Sequence, residues 1–139
     1  MNKTKIPKTT GTATSATLTT ILTYQLHAKY EWVSLKIKNT HASKAFADCK
    51  LLVNDDGDVA DGDWSPLLSG SDWSNVAKLR AGEWSGSDDQ GSGHYANDLA
   101  AGEFCHVVLF VAGLHAIRIQ VSGDGGDSTV EIVGHASGS

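Results

Sequence analysis

The densest run of oxygen ligands in the chain is NDDGDVADGD, with Asp56, Asp58, Asp61 and Asp63 within eight residues. Carboxylates so placed on a loop could hold calcium, a hard cation that takes oxygen ligands. The run lacks the EF-hand pattern, because Ala60 stands where a third ligand belongs and no Glu closes the loop. A solvated acidic turn is the favoured reading, since Asn, Asp and Gly tolerate positive φ, and calcium is the alternative. Cys105 and His106 could suggest a nucleophile and its base. Adjacent residues of a strand point to opposite faces, so the two read as ordinary sheet residues. The six histidines (His27, His41, His94, His106, His115, His135) are scattered without ligand spacing. Cys49 and Cys105 lie in apolar stretches without metal-motif spacing and read as buried thiols; a disulfide joining two strands is the alternative. No G-x-S-x-G elbow, phosphate loop or H-E-x-x-H is present. The expectation is a protein without catalytic residues, metal ligands or a cofactor, and not an enzyme.

Two groups of residues point instead to binding. Asp63-Trp64-Ser65, Asp72-Trp73-Ser74 and Glu83-Trp84-Ser85 repeat one triplet of acid, tryptophan and serine. Three of the four tryptophans therefore stand in one polar, glycine-rich stretch. The favoured reading is that each indole folds back over the domain and pins a loop, since Trp buries much area with few rotatable bonds. A protein interface through Trp64, Trp73 or Trp84 is the second reading, because Trp is enriched at binding hot spots. Sugar stacking is the third. The other group is Lys3, Lys5 and Lys8, the only charges in residues 1–14. With Pro7 and a Thr/Gly/Ala run beside them, residues 1–14 read as a disordered or extended arm. Such an arm is either solvated and idle or docks through its lysines on an acidic neighbour. Deleting residues 2–12 is expected to leave the fold intact.

The elements that must carry these groups are strands. Ala16, Leu18, Thr20, Leu22, Tyr24 and Leu26 alternate along one face, with Ile21 as the exception. Val33, Leu35 and Ile37 alternate with Ser34, Lys36 and Lys38, and Ala47, Cys49, Leu51 and Val53 repeat the pattern. Residues 104–112 are apolar on both faces, as in a central strand. Ile117, Ile119 and Val121 alternate again. SGDGGDS then reads as a hairpin turn that lays Val130 and Ile132 against the preceding strand. Between them, residues 55–102 form an irregular insertion in which 75–81 could be a strand or a helical turn. No stretch has full helical periodicity. The expected fold is all-β: an antiparallel β-sandwich over residues 15–139, jelly roll favoured over immunoglobulin-like.

The composition agrees, with 15 Gly, 2 Pro and an ordinary apolar content in 139 residues, enough for one domain. No apolar run reaches membrane-spanning length, and the N-terminus lacks the apolar core of a secretory signal, so cytosolic synthesis is expected. The net charge of −5 is unevenly spread. Residues 1–50 hold eight lysines against Glu31 and Asp48, a net +6; residues 51–139 hold Lys78, Arg80 and Arg118 against fourteen acids, a net −11. The split favours complementarity between copies or with a partner protein. The sequence displays no basic-aromatic patch, so nucleic acid is not the expected partner.

The lysine- and threonine-rich start leading into TLTTILTYQLHAKYEWVSLKIKNTHASKAFADCKLLV, and the closing AIRIQVSGDGGDSTVEIVGHAS, resemble the small jelly-roll head-decoration or cement proteins of tailed bacteriophages. The likeness covers most of the chain loosely and contains no diagnostic motif, so it transfers no site residue. It implies a virion protein made in the host cytoplasm that binds the outer capsid surface in many copies and joins neighbouring major capsid subunits. It implies association with copies of itself, as dimer or trimer, and no catalysis, cofactor or membrane. The alternatives are a carbohydrate-binding β-sandwich, on a phage fibre or as an accessory domain, and another virion component such as a tail or neck protein.

Overall fold

The computed structural model describes residues 2–14, 17–26, 29–54, 56–58, 60, 62, 64–66, 77–80, 100–124 and 126–138. Alternating patterns become strands: β1 (Asn2–Ala13), β2 (Thr19–Gln25), β3 (Tyr30–Asn39), β4 (Phe46–Asn54), β5 (Ser65–Pro66), β6 (Ala77–Arg80), β7 (Phe104–Phe110), β8 (Ala116–Gly123) and β9 (Ser128–Gly138). They form two antiparallel sheets, β1-β9-β3-β7-β6 and β2-β8-β4-β5. No helix occurs among the described residues, so none could cross a membrane.

The strand order decides the topology. β1 pairs with the last strand, β2 with the last but one, β3 with β7, and β4 with β5. The chain thus folds as one long ribbon doubled on itself and wound across two sheets, which is the jelly roll. β6 adds an edge strand beside β7. The segment 75–81 is therefore strand over Ala77–Arg80. The inward faces close on one core, with Phe46, Leu35, Ile37, Leu51, Leu109, Ile117, Ile119 and Ile132 fully buried. Each such side chain contributes roughly 1.5–3 kcal/mol by leaving water.

Four expectations are corrected. Residues 2–13 are not a free arm but an edge strand in register with β9 from Asn2↔Gly138 to Ala13↔Ser128, with Ile6 and Ala13 buried in the core. Pro7 escapes the cost of a missing N–H because it lies in a register shift between Ile6 and Thr9. SGDGGDS does not close a hairpin, because β8 and β9 belong to different sheets. It crosses between them, held by Gly123 N–H to Thr14 O (2.8 Å), Asp124 N–H to Ala45 O (3.0 Å) and Ser128 Oγ to Ala45 O (3.0 Å). A side chain at Gly123 would collide with the Gly126 carbonyl, so glycine is required by close approach. Ala47 faces solvent while Phe46 is buried, because a register shift between Phe46 and Asp48 resets the alternation. A similar shift between Thr20 and Leu22 turns Thr20 outward and accounts for Ile21, which packs towards Gly11 of β1.

Candidate functional site

Register determines what the outer face of the five-stranded sheet presents. Along β3 the inward residues Val33, Leu35 and Ile37 leave Trp32, Ser34, Lys36 and Lys38 on the other side. Four rows run across the strands. Lys3 pairs with Ser137, which faces Trp32 and then Phe110; Lys5 pairs with His135, then Ser34 and Val108. Val133, beside the Lys8 bulge, pairs with Lys36 and then His106; Thr10 pairs with Glu131, then Lys38 and Phe104. Lys78 and Arg80 of β6 hold the register positions opposite Val108 and His106. Five lysines thus share a face with Glu131, and Lys8 Nζ lies 3.6 Å from its carboxylate. Lys3, Lys5 and Lys8 are all exposed.

Aromatic rings order this face. Trp32 meets Phe110 edge to face with centroids 5.1 Å apart, and Phe110 is 38% exposed. Lys36 Nζ lies 4.6 Å over the Phe104 ring, and that ring meets His106 edge-on at 5.5 Å. Between β9, β3 and β7 lies an open depression of ≈ 210 Å³, rimmed by Ser34, Lys36, His106 and His135. No short stretch of sequence displays this basic-aromatic patch, since it joins side chains about 100 residues apart. The signal available was the outward half of the β3 alternation, Ser34, Lys36 and Lys38, together with the lysines of β1.

The other predicted groups fall elsewhere. Trp64 lies beside the four-stranded sheet, where the Arg118 guanidinium carbon is 4.0 Å from its ring centroid. Its indole Nε1 is buried without a hydrogen-bond partner among the described residues. Arg118 Nε donates to Thr23 Oγ1 at 3.3 Å, tying the stacked pair to β2. Trp73 and Trp84 lie outside the described residues. Of the acidic run, Asp56 and Asp58 are exposed, and Asp61 and Asp63 lie outside the described residues. The Asp56 carboxylate accepts from Asn54 Nδ2 and from the Asp58 N–H, both at 2.9 Å. Gly57, at φ +82°, donates its N–H to Asn54 Oδ1 at 3.1 Å. This carboxylate therefore organises a turn. Among the described residues no three His, Cys, Asp or Glu side chains converge on a metal position. Cys49 is buried in the core on β4, and Cys105 holds the register position opposite Ile37 on β7 of the other sheet. His41 Nδ1 accepts from the N–H groups of Ser43 (3.0 Å) and Lys44 (2.9 Å), a structural duty in the β3–β4 connection.

No protein-family model matches the chain, and no curated protein matches it. Among solved structures the chain is similar to the crystal structure of the SPBc2 prophage-derived protein YomS. The likeness covers 97% of this chain and 96% of that one, at 14% identity and a TM-score of 0.47. It assigns no function to this chain.

Proposed function

We propose that this protein is a non-catalytic virion component, a cement protein of a bacteriophage capsid. It docks the outer face of its five-stranded sheet on an acidic, partly apolar surface of the major capsid protein, joins neighbouring subunits, and associates with copies of itself. The observation that carries this reading is the gathering of Lys3, Lys5, Lys8, Lys36 and Lys38 beside the Trp32–Phe110 pair on one sheet face. Cations of one sign steer an acidic partner into encounter, and exposed aromatic area then slows its departure. The resemblance of the chain's opening and closing segments to head-decoration proteins supports the same reading. A protein bound across a subunit boundary stabilises only the assembled shell, by mass action.

Co-sedimentation with purified capsids tests the proposal. Wild-type protein should bind saturably, at a fixed ratio to the capsid subunit. Lys36→Glu with Lys38→Glu should weaken binding by at least roughly tenfold, a loss of about 1.4 kcal/mol. Circular dichroism should show the fold intact, since both side chains face outward. No particle binding by the wild type, or equal binding by the folded variant, overturns the reading.

A further inference from the structure

We infer that the depression between β9, β3 and β7 is the seat for a single carboxylate side chain of the docked partner; this rests on the docking proposed above. Its polar rim is made of Ser34, Lys36, His106 and His135, around a floor that includes Val133 and Gly134. Each rim side chain can donate a hydrogen bond: a hydroxyl, an ammonium and two imidazoles. None is an acid, and the Glu131 carboxylate on the same face lies beside Lys8. Two donors are held before any ligand arrives. The Phe104 ring keeps the Lys36 ammonium at 4.6 Å and meets the His106 ring at right angles. Such preorganisation lowers the ordering cost of binding.

Size and charge select the ligand. A depression of ≈ 210 Å³ admits a side-chain tip and its waters, and falls below the ~300 Å³ at which small-molecule pockets begin. A phosphate chain would extend beyond the seat and meet the field of a molecule whose net charge is −5. One carboxylate on a folded partner needs only the local field. The surrounding Trp32, Phe110, Val108 and Val133 also suit a protein surface, whose contact core is apolar and aromatic.

The test compares two variants of the full chain in capsid co-sedimentation: Lys36→Met with His135→Asn at the seat, and Lys3→Gln with Lys5→Gln at the flank. The seat variant should bind at least roughly tenfold more weakly, and the flank variant less than about threefold. A strong flank effect with no seat effect overturns the carboxylate seat while leaving docking of the face standing. No effect from either overturns both. Ser34→Ala removes one donor without touching the core, and serves if the double seat variant misfolds. In solution, sodium acetate at constant ionic strength should shift the amide resonances of Ser34, Lys36, His106 and His135 saturably. Shifts that grow linearly and spread over all lysines overturn the seat, as does tighter binding there of a ten-residue oligothymidylate than of a glutamate-rich peptide.

Discussion

At the scale of single residues, strand-ending side chains hold the turns. Asn39 and Asn54 are both fully buried at the ends of β3 and β4. Asn39 Nδ2 donates to Lys44 O (2.7 Å) while its Oδ1 accepts from the His41 N–H (3.0 Å). Asn54 makes the equivalent bonds to Asp56 and Gly57. Asn39→Ala would take their side-chain partner from the N–H of half-buried His41 and the carbonyl of exposed Lys44, so it should cost about 0.5–1.5 kcal/mol per lost bond in urea unfolding. Tyr24 supplies a pH signature. Burial, then the neighbouring Tyr30 and the hydrogen bond to it, raise the Tyr24 phenol above its ordinary value. The folded chain therefore keeps a proton that the unfolded chain releases first. Stability from this source is complete below the ordinary phenol range and is lost as pH rises through the raised value. Alkaline titration of urea stability should show that fall, and Tyr24→Phe should reduce it. An unchanged alkaline limb would reject the assignment.

At the scale of elements, β1 changes most between sequence and structure. Its inward alternation is weak, because Ile6 is the one large apolar residue it buries, so composition reads as a tail. What makes it a strand is the full-length edge of β9, which no local pattern reveals. Lysines and a bulged proline along an outer strand are also how sheets discourage edge-to-edge aggregation, so Lys3, Lys5 and Lys8 serve the edge as well as the face. Deleting residues 2–12 should therefore destabilise the protein rather than merely weaken its binding. Ile6→Ala alone should cost about 2–5 kcal/mol. Thermal unfolding checks both, and a deletion variant melting with the wild type would return β1 to an idle arm. Period-2 alternation made β3, β4 and β8 legible, since each buries one face. The bulges near Ile21 and Ala47 were not, because a single extra residue shifts phase without any compositional mark. Nor was the crossing at SGDGGDS: a glycine-rich turn can link strands of one sheet or of two, and the choice rests with distant partners.

At the scale of the whole molecule, topology gathers on one sheet lysines that stand far apart along the sequence. The net +6 of residues 1–50 comes largely from β1 and β3, and the jelly roll sets those two strands on either side of β9 in one sheet. The acidic turn after β4 leaves from the other sheet. The lysines were legible in the sequence, but their convergence with Trp32, Phe104 and Phe110 was not, since it depends on β7 joining β3 across the 64 residues between Asn39 and Phe104. If this gathering of lysines guides docking, it acts on encounter more than on residence. Raising salt from 0.1 M to 1 M shortens the screening length from about 10 Å to about 3 Å. The association rate with immobilised capsids should then fall by roughly tenfold or more, while dissociation changes little. Lys3→Gln, Lys5→Gln and Lys8→Gln together should lower the low-salt association rate and flatten its salt dependence. Phe110→Ala should leave that dependence alone and speed dissociation, because it removes contact area and no charge. A salt effect confined to dissociation would mean that the cations act only after contact, as local pairs, and that the gathered lysines have no part in finding the partner.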